Sequence, residues 1–490
     1  MRLNAFVNKI ETLGCYGNLD REVVGIAYDS RKVEEGFVFV CIKGFKVDGH
    51  DYAKQAVEKG AHVLIVEHID QELKNLQEAS DITMVHVADG RQLLGELSKH
   101  YYKDPSSQFK MIGITGTNGK TSIAQMLTHS LEKLAHKCAV LGTIENRIGK
   151  EVYPSDVTTP ESLELNQLFA EMINANVDYC TMEVSSHALE LKRVEGIQFD
   201  YGIFTNLTKD HLNFHGTMEA YFESKALLFN KTNKANVINI DDPYGKKLKE
   251  REASFLAPVI TYGLDQVADI TAKNIKYTAM GSEFTLVTPQ WELEVSIPIP
   301  GKIYVYNCLA AVGVLFSEAF TKEDVKKGID GIQPIPGRLE PIMNKTGINV
   351  VVDFAHTPDS LENVIKVARA FTQGKLITVF GCGGNRDKSK RPEMGKIATE
   401  LSDYTYVTSD NPRHEEPQLI IKDILDGISA DHEKYGSIVD RKEAIEAAIK
   451  KANPMDTVLI AGKGHETYQI IGDVKNHFDD REIARKILEA

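Results

Sequence analysis

The stretch Lys110–Leu134, KMIGITGTNGKTSIAQMLTHSLEKL, constrains this chain more than any other. An apolar run over Met111–Ile114 predicts a strand, a glycine-rich turn follows at 116–121, and apolar residues at helical spacing then predict a helix. This order is typical of a phosphate-binding loop, because glycines let backbone N–H groups converge on an anion at the positive end of the helix. Lys120 is placed to reach the outer phosphates, and the Thr121 hydroxyl to hold Mg²⁺. Ile114 occupies the first glycine position of the strict G-x-x-x-x-G-K-[ST] pattern, so a plain strand–helix turn is the alternative.

Length, charge and cysteine usage limit the classes of protein to consider. A chain of 490 residues predicts roughly two to four domains, and 42% hydrophobic with 26% charged residues is typical of a soluble protein with ample core. The formal net charge of −13 argues against a nucleic-acid or membrane-surface binder, so local basic groups must meet any anionic ligand. Six scattered cysteines without a C-x-x-C pair fit a reducing cytoplasm. The N-terminal MRLNAFVNKIETL is too polar for a signal peptide, and no apolar run approaches the ~20 residues that span a bilayer.

Residues 1–107 predict a small α/β domain, closed by turn-forming residues at 102–107. Its strands are expected at Val23–Ala27, Val38–Ile42, Val63–Val66 and Met84–Val87, and its helices at Asp51–Lys59 and Gly90–Tyr101.

Residues 108–335 alternate strands and helices, which predicts a mostly parallel sheet with ligands beyond the carboxyl ends of its strands. Polar clusters at 183–187 and 206–212 follow two consecutive strands, although each by itself could be a turn or a helix cap. Together they predict a Mg²⁺ and substrate rim, with Glu183 and His211 as candidate metal ligands. Strands are expected at Cys138–Leu141, Asp178–Val184, Tyr201–Asn206 and Ala235–Ile240, with helices at Ser162–Ala175, Ala220–Phe229 and Asn307–Ala319, and an antiparallel insertion at Asp269–Ser296.

Residues 336–490 resume the alternation after a Pro- and Gly-containing linker at 334–337. The basic loop at 383–391 predicts an anion site, because its charges are concentrated at one strand end of an acidic chain. Strands are expected at Asn349–Phe354, Leu376–Phe380, Tyr404–Thr408 and Thr457–Ala461, and helices at Ser360–Thr372, Lys390–Leu401, Glu416–Ile428 and Arg441–Lys451.

A set of short blocks resembles the Mur ligase family of ATP-dependent amide-bond-forming enzymes of peptidoglycan synthesis, almost from end to end of the chain. GTNGKTS is shared with relatives such as folylpolyglutamate synthetase, whereas the other blocks together resemble the MurE type, which adds the third peptide residue. Those blocks are DSRKVEEGFVFVCIKG, DVTTPES, MEVSSHALELKRV, NLTKDHLNFHG, PGRLE, DFAHTPDSL, GCGGNRDKSKRP, SDNPRHEEP and AGKGHETYQ.

The resemblance implies three α/β domains: an N-terminal domain for the uridine end, a central P-loop ATPase and a C-terminal Rossmann-like domain for the amino acid. It assigns catalytic roles to Lys120, His211 and Lys225, the last as a carbamate, and Mg²⁺ to Thr121, Glu183, His211 and that carbamate. ATP is expected at Gly116, Thr117, Asn118, Gly119, Lys120, Thr121, Ser122, Asn307, Arg338, Asp353 and His356. UDP-MurNAc-peptide is expected at Ser30, Thr158, Thr159, Ser185 and Arg193, and the incoming amino acid at Arg386, Asp410, Asn411, Pro412, Arg413, Gly462 and Glu466.

The implied reaction adds meso-2,6-diaminopimelate to the D-Glu side-chain carboxylate of UDP-MurNAc-L-Ala-D-Glu through an acyl phosphate, with ATP and Mg²⁺. The motif Asp410-Asn411-Pro412-Arg413 resembles that of diaminopimelate-adding members. Its arginine can pair with the second carboxylate of diaminopimelate, which L-lysine lacks. L-Lysine stays open as the alternative amino acid, and a polyglutamate-adding synthetase, a non-catalytic nucleotide-binding module or a P-loop motor as alternative functions. We expect a cytoplasmic monomer without nucleic-acid or membrane partners.

Overall fold

Helices packed on mostly parallel sheets make up most of the chain, as the alternating pattern predicts. The protein is described from a computed structural model over residues 1–44, 47–153, 157–278, 281–429 and 434–489. The chain divides into two compact units, 1–124 with 135–260, and 125–134 with 261–490. The bounds of the three predicted domains, 1–107, 108–335 and 336–490, stay predictions.

The N-terminal region of the first unit contains a five-stranded sheet of order β1-β5-β4-β3-β2, in which only β1 is antiparallel to its neighbour. The four predicted strands and the helix over Gly90–Tyr101 are confirmed, with strand ends shifted by up to two residues. The elements are β1 (Gly14–Tyr16), β2 (Gly25–Ala27), β3 (Phe37–Val40), β4 (Ala61–Val66), β5 (Thr83–His86), α1 (Leu3–Val7), α2 (Ala53–Glu58), α3 (Gln71–Ala79) and α4 (Gly90–Tyr101).

The larger sheet of this unit has the order β13-β12-β11-β6-β10-β7-β8-β9. Strands β12, β11, β6, β10 and β7 are parallel, so the glycine-rich turn after β6 and the polar clusters after β10 and β11 lie at one edge. The strands are β6 (Lys110–Thr115), β7 (Cys138–Leu141), β8 (Asn146–Ile148), β9 (Glu151–Tyr153), β10 (Tyr179–Glu183), β11 (Phe199–Phe204), β12 (Thr232–Asn239) and β13 (Val259–Tyr262). The helices are α5 (Lys120–Lys133), of which residues 125–133 belong to the second unit, α6 (Ser162–Asn174), α7 (Ser186–Glu190), α8 (Leu212–His215), α9 (Met218–Ala226) and α10 (Pro243–Lys249).

The second unit begins with the predicted antiparallel insertion, which is confirmed as the sheet β14-β15-β16. The helix after it begins at Lys302 rather than at Asn307, and it is buried along most of its length because nearly every residue is apolar or small. These elements are β14 (Thr271–Thr278), β15 (Gly281–Val287), β16 (Glu292–Ile297), α11 (Lys302–Ser317) and α12 (Lys322–Ile329).

A six-stranded sheet of order β17-β18-β22-β19-β20-β21 completes the second unit, parallel except for β17, as a Rossmann-like domain requires. Its strands are β17 (Glu340–Pro341), β18 (Asn349–Asp353), β19 (Leu376–Phe380), β20 (Tyr404–Val407), β21 (Tyr435–Ser437) and β22 (Thr457–Ala461), followed by the hairpin β23 (Tyr468–Ile471) and β24 (Val474–His477). Its helices are α13 (Pro358–Phe371), α14 (Lys390–Leu401), α15 (Pro417–Leu425), α16 (Arg441–Lys451) and α17 (Asp480–Glu489). Among the described residues, no helix has both the length and the apolar character needed to cross a bilayer.

Candidate active site

The turn between β6 and α5 is fixed by the segment that follows β11. The Thr117 N–H donates to the Asn206 carbonyl at 2.9 Å, and the Asn118 N–H donates to Asn206 Oδ1 at 3.0 Å. The Thr205 hydroxyl donates to the Asn118 carbonyl at 2.6 Å. Neighbouring parallel strands bring these residues together, and their hydrogen bonds hold the turn at the N-terminus of a 14-residue helix, where an anion is favoured.

Gly116 is the residue that allows the turn to approach Thr205. Its φ is +145°, and an added Cβ would come within 1.8 Å of Thr205 Oγ1. Gly116→Ala should therefore cost about 3 kcal/mol of stability, through backbone strain and overpacking together. Gly149→Ala is the matched control, because Gly149 has φ +59° but open space around its Cβ position, and it should cost about 1 kcal/mol. Thermal unfolding of both variants measures the difference, and equal shifts of the midpoint would contradict the steric argument.

Two lysine side chains converge on the Gly116 carbonyl. Lys120 Nζ and Lys225 Nζ each donate to it at 2.9 Å, and Lys120 also donates to the Thr117 carbonyl at 2.9 Å. Lys225 is 1% exposed, and its burial, followed by repulsion from Lys120, lowers its pKa well below the ordinary value. Both lysines therefore lie at the glycine-rich turn, and their predicted catalytic roles stay predictions.

Glu183, at the end of β10, accepts hydrogen bonds from both Thr121 and Thr143. Its Oε2 accepts from the hydroxyls of Thr121 at 3.0 Å and Thr143 at 3.1 Å, and its Oε1 accepts from the Thr143 N–H at 2.9 Å. Gly142 must lack a side chain, since its Cβ would lie 2.3 Å from Glu183 Oε1. A carboxylate beside a threonine hydroxyl is an oxygen-donor set that fits Mg²⁺.

His211 lies in a cluster of aromatic rings, and its Nε2 is 3.5 Å from Asp210 Oδ2. Its ring is 4.9 Å from that of His187 and 6.0 Å from that of Tyr221, and its φ is +52°. Burial, then the charges of His211 and His215, lower the pKa of His187 to about 4. Among the described residues, no three His, Cys, Asp or Glu side chains are grouped closely enough to hold a metal ion. The shared Mg²⁺ site of Thr121, Glu183, His211 and carbamylated Lys225 stays a prediction.

The residues predicted to bind the muramoyl-peptide connect to Glu183. The Thr159 hydroxyl donates to the Glu183 carbonyl at 2.8 Å and accepts from the Ser185 N–H at 3.1 Å, while Thr158 Oγ1 is 3.1 Å from Thr143 Oγ1. Arg193 Nη1 donates to the Thr159 carbonyl at 2.9 Å. Asp156, the first residue of the DVTTPES block, lies outside the described residues.

Ser30, the predicted uridine contact, lies elsewhere in the first unit, on a 3-10 turn after β2. It is 6% exposed, and its hydroxyl donates to Gln55 Oε1 at 2.7 Å.

The other predicted nucleotide contacts belong to the second unit. Asn307 is buried in α11, and Asp353 ends β18, where it accepts from the N–H groups of Leu339 and Ala355, both at 2.8 Å. Burial raises the pKa of Asp353, and the charge of Arg338 opposes that shift. The Arg338 guanidinium lies 5.2 Å from the Phe354 ring, and His356 Nδ1 is 2.9 Å from the Phe354 carbonyl. Arg338, Asp353 and His356 therefore lie near the carboxyl end of β18, whereas Asn307 is a buried residue of α11.

The predicted amino-acid residues meet at the carboxyl ends of β20 and β22. Asn411 Nδ2 donates to Glu466 Oε2 at 2.8 Å, Gly462 donates its N–H to the Asp353 carbonyl at 3.0 Å, and its Cβ position is 2.8 Å from Asp410 Oδ2. Gly384 passes so close to Pro412 that a Cβ would lie 1.9 Å from the Pro412 carbonyl oxygen. Arg386 is exposed on the 383–391 loop, with Nη1 3.4 Å from the Asn385 carbonyl.

Arg413 occupies a strained backbone position that the hairpin β23–β24 holds. Its φ is +51°, its N–H donates to the Ile470 carbonyl at 3.0 Å, and its carbonyl accepts from the Gly472 N–H at 2.7 Å. The side chain turns toward the glycine loop, where Nη1 donates to the Gly384 carbonyl at 2.9 Å. A non-glycine residue in this conformation costs about 1–3 kcal/mol and is concentrated at functional sites.

Comparison with known proteins decides the family. The chain is 47% identical over 488 residues to the UDP-N-acetylmuramoyl-L-alanyl-D-glutamate--2,6-diaminopimelate ligase of Clostridioides difficile (strain 630), covering 100% of this chain and 99% of that protein. The protein of the same name from Bacillus cereus is 42% identical over 497 residues, covering 100% of this chain and 98% of that protein. The chain belongs to the Mur ligase family. Three profiles match it: "Mur ligase family, catalytic domain" at 22–102, "Mur ligase middle domain" at 114–315, and "Mur ligase, glutamate ligase domain" at 337–464.

Solved structures agree with the fold of this Mur ligase. A structure of a UDP-N-acetylmuramoyl-L-alanyl-D-glutamate--2,6-diaminopimelate ligase, 33% identical, has a TM-score of 0.74 and covers 100% of this chain and 99% of that one. The MurF ligase of Thermotoga maritima in complex with ADP is 19% identical with a TM-score of 0.61, covers 95% of this chain and 97% of that one, and supports the fold alone.

The prediction that the basic 383–391 loop of this Mur ligase forms an anion site is wrong in part. Arg391 is not available to an anion, because its side chain is fully buried and pairs with Glu415 at 3.0 Å and Asp423 at 2.8 Å. Lys388 is also paired with Glu415, at 3.4 Å. Composition showed the basic run but could not show the carboxylates of the next helix and loop that neutralise part of it.

Lys463 is a residue of this Mur ligase that sequence reasoning missed. Its side chain has no exposed surface, and Nζ donates to Asn411 Oδ1 at 3.1 Å and Glu466 Oε2 at 2.9 Å. The Ile470 N–H also donates to Asn411 Oδ1 at 3.0 Å, which fixes the orientation of that amide. A lysine between two glycines suggested a loop, and only the folded sheet places it between two predicted amino-acid contacts.

Proposed function

We propose that this Mur ligase joins meso-2,6-diaminopimelate to the D-Glu side-chain carboxylate of UDP-MurNAc-L-Ala-D-Glu, with conversion of ATP to ADP and phosphate. Its relatives of 42–47% identity over the full chain carry the name of that activity. The observation that carries the choice of amino acid is the constrained arginine Arg413 beside the cluster Asn411–Lys463–Glu466. Because Arg413 can pair bidentately with a second carboxylate, L-lysine would leave its guanidinium without that partner.

The proposed reaction has two steps. A D-Glu carboxylate oxygen attacks the γ-phosphorus, ADP leaves, and an acyl phosphate forms. The neutral amine of the second substrate then attacks the acyl carbon, inorganic phosphate leaves, and the amine loses a proton as the amide forms. Activation is needed because a free carboxylate has no adequate leaving group.

The chain's task in the first step is to hold two anions together. Two unit charges ~4 Å apart repel by about 4 kcal/mol at an effective dielectric of ~20. Lys120 and the N-terminus of α5, with its backbone N–H groups, would offset that repulsion by fixed positive charge and dipoles. Thr121, Glu183, His211 and a carbamate on Lys225 would hold Mg²⁺, which when bound neutralises phosphate oxygens.

The second step depends on orientation in the second unit. Arg413 would bind one carboxylate of diaminopimelate, and Glu466 with Asn411 would bind the ammonium at the same end, leaving the other amine to react. Glu466 Oε2 already accepts two hydrogen bonds, so its position is fixed before the substrate binds. We also propose that the chain works as a monomer in the cytoplasm. Its six free cysteines, five of them buried, fit a reducing compartment.

Phosphate release with the two amino acids side by side tests the proposal. Purified protein with UDP-MurNAc-L-Ala-D-Glu and Mg·ATP should release phosphate when meso-diaminopimelate is added, with kcat/KM about 10⁴-fold above that for L-lysine. Mass spectrometry of the product should show one added diaminopimelate. Equal use of L-lysine would refute the amino-acid assignment, and no amino-acid-dependent release would refute the ligase function.

Lys463→Met should raise the KM for meso-diaminopimelate by about 10–100-fold, because a charged hydrogen-bond donor worth about 1.5–3 kcal/mol is lost from Glu466. The KM for ATP should stay within twofold. The control is Lys475→Met: Lys475 lies 3.7 Å from the Tyr468 ring but is exposed, so its loss should leave both constants unchanged. Matching effects of the two substitutions would show that Lys463 does not position the amino-acid contacts.

A further inference from the structure

Glu161, which precedes the first residue of α6, lies between two arginines from different parts of the first unit. Arg193 Nε is 2.9 Å from Glu161 Oε1, and Arg91 Nη1 is 3.3 Å from the same oxygen and 3.4 Å from Oε2. Arg91 belongs to the first turn of α4 in the N-terminal region, whereas Arg193 follows α7 in the central region. All three side chains are partly buried, which makes this pairing less screened than one at the surface.

Arg193 connects this ion-pair group to the edge of the sheet at which Glu183 lies. Its Nη1 donates to the Thr159 carbonyl at 2.9 Å, and the Thr159 hydroxyl donates to the Glu183 carbonyl at 2.8 Å. The orientation of Arg193 is therefore set on one side by the Thr159 carbonyl and on the other side by Glu161.

A second contact joins the start of α6 to the N-terminal region. The Tyr28 hydroxyl donates to Glu164 Oε1 at 2.8 Å, and Lys32 Nζ lies 3.7 Å from the same oxygen. Burial and the neighbouring Glu164 raise the pKa of the Tyr28 phenol, so it stays a donor at all physiological pH values. Tyr28 is two residues from Ser30, so one helix start contacts both the loop of the predicted uridine contact and the arginine predicted at the muramoyl-peptide.

We propose that Glu161 and Arg91 are positioning residues that set the orientation and free charge of Arg193, and so make the N-terminal region contribute to binding of the muramoyl-peptide. One carboxylate between two guanidinium groups leaves a net positive charge, because Arg91 already neutralises Glu161. Arg193 therefore keeps charge for the anionic substrate. Without Arg91, Glu161 would pair with Arg193 alone and compete with the substrate for it. This inference rests on the proposed function and on the predicted role of Arg193.

A double-mutant cycle tests the coupling. Arg91→Met should lower kcat/KM for UDP-MurNAc-L-Ala-D-Glu about 10-fold, and Arg193→Ala about 100-fold. The combined variant should match Arg193→Ala, because Arg91 acts only through Arg193. Arg91→Lys should keep at least half of the wild-type value, and the KM values for ATP and diaminopimelate should be unchanged throughout. Multiplying effects, near 1000-fold in the double variant, would overturn the proposal.

Lys192→Met is the matched control. Lys192 adjoins Arg193 and pairs with Asp89 at 2.7 Å, so it joins the same two regions without contacting Glu161. Its loss should change kcat/KM less than twofold. A loss as large as that of Arg91→Met would show that mere attachment of the regions matters, and would also overturn the proposal.

Two further measurements complete the test. If Arg91→Met lowers the thermal midpoint by more than a few degrees, Arg91→Gln, which also removes the positive charge but keeps a polar side chain, replaces it in the same cycle with the same expected results. Wild-type protein without phosphate release would refute the proposed function and this inference with it. Active wild-type protein with multiplying effects would refute the positioning roles alone.

Discussion

Arg413→Ala should lower kcat/KM for meso-diaminopimelate by about 10³-fold, while the KM for ATP stays within twofold. Removing one partner of a desolvated, hydrogen-bonded charge pair costs about 2–5 kcal/mol, and the upper part of that range applies to a bidentate pair. The hairpin β23–β24 holds the Arg413 backbone from both sides, so little ordering remains for the substrate to supply. Steady-state phosphate release at saturating ATP measures the loss.

His414→Ala is the control for that substitution. His414 is the next residue in the chain, with a side chain that is 59% exposed, and its removal should change kcat/KM less than twofold. Arg413→Lys should recover little of the loss, because an ammonium cannot form the two parallel bonds of a guanidinium. If Arg413→Ala used diaminopimelate as well as the wild type does, Arg413 would not be the carboxylate contact.

Lys225→Arg and Lys225→Met should both lower kcat by about 10²–10³-fold. The Lys225 pKa lies well below its ordinary value because the amine is buried beside Lys120, so in the folded protein the amine is neutral over a wider pH range than an exposed lysine. A neutral amine can add to carbon dioxide, and the carbamate formed is an anion that would attract both Lys120 and Mg²⁺. Arginine keeps the positive charge but forms no such carbamate, so it should fail as methionine does.

Carbon-13 NMR of protein equilibrated with labelled bicarbonate should show one carbamate signal, absent from both variants. Lys150→Met, at an exposed lysine of the turn between β8 and β9, is the control and should keep both the signal and the activity. Near-normal activity of Lys225→Arg would contradict a carbamate role, whereas loss in Lys225→Met alone would assign the function to the cation.

Regular elements were predictable where their apolar pattern is local. The strands Cys138–Leu141, Leu376–Phe380 and Thr457–Ala461 and the helix Arg441–Lys451 have the predicted bounds. For the strands this is because a short apolar run between turn residues has few alternatives to a buried strand. The hairpins β8–β9 and β23–β24 were missed, since their strands are only three or four residues long and mostly not buried. Short exposed strands lack the alternation that reveals longer ones.

The candidate site shows the same difference between residues that a local sequence pattern predicts and residues that it does not. The glycine-rich turn was visible because phosphate binding needs glycines at fixed spacing, and the structure places Gly116 where a side chain cannot fit. The roles of Glu161, Arg391 and Lys463 could not be predicted from the sequence. Their roles come from partners tens of residues away or from complete burial of a charge, and neither leaves a local pattern in the sequence.

The buried pair Arg441–Asp480 has a consequence for how this chain is made. Both side chains have no exposed surface; Arg441 donates to Asp480 at 2.7 and 2.8 Å and to the Ala461 carbonyl at 3.0 Å, at the end of β22. A ribosome that has finished α16 but not α17 presents an arginine whose carboxylate has not yet been synthesised, and leaving such a charge uncompensated costs about 3–5 kcal/mol. Folding of the region around the predicted amino-acid contacts should therefore wait for translation to pass Asp480, and a nonsense codon before that residue should yield a chain that proteases remove.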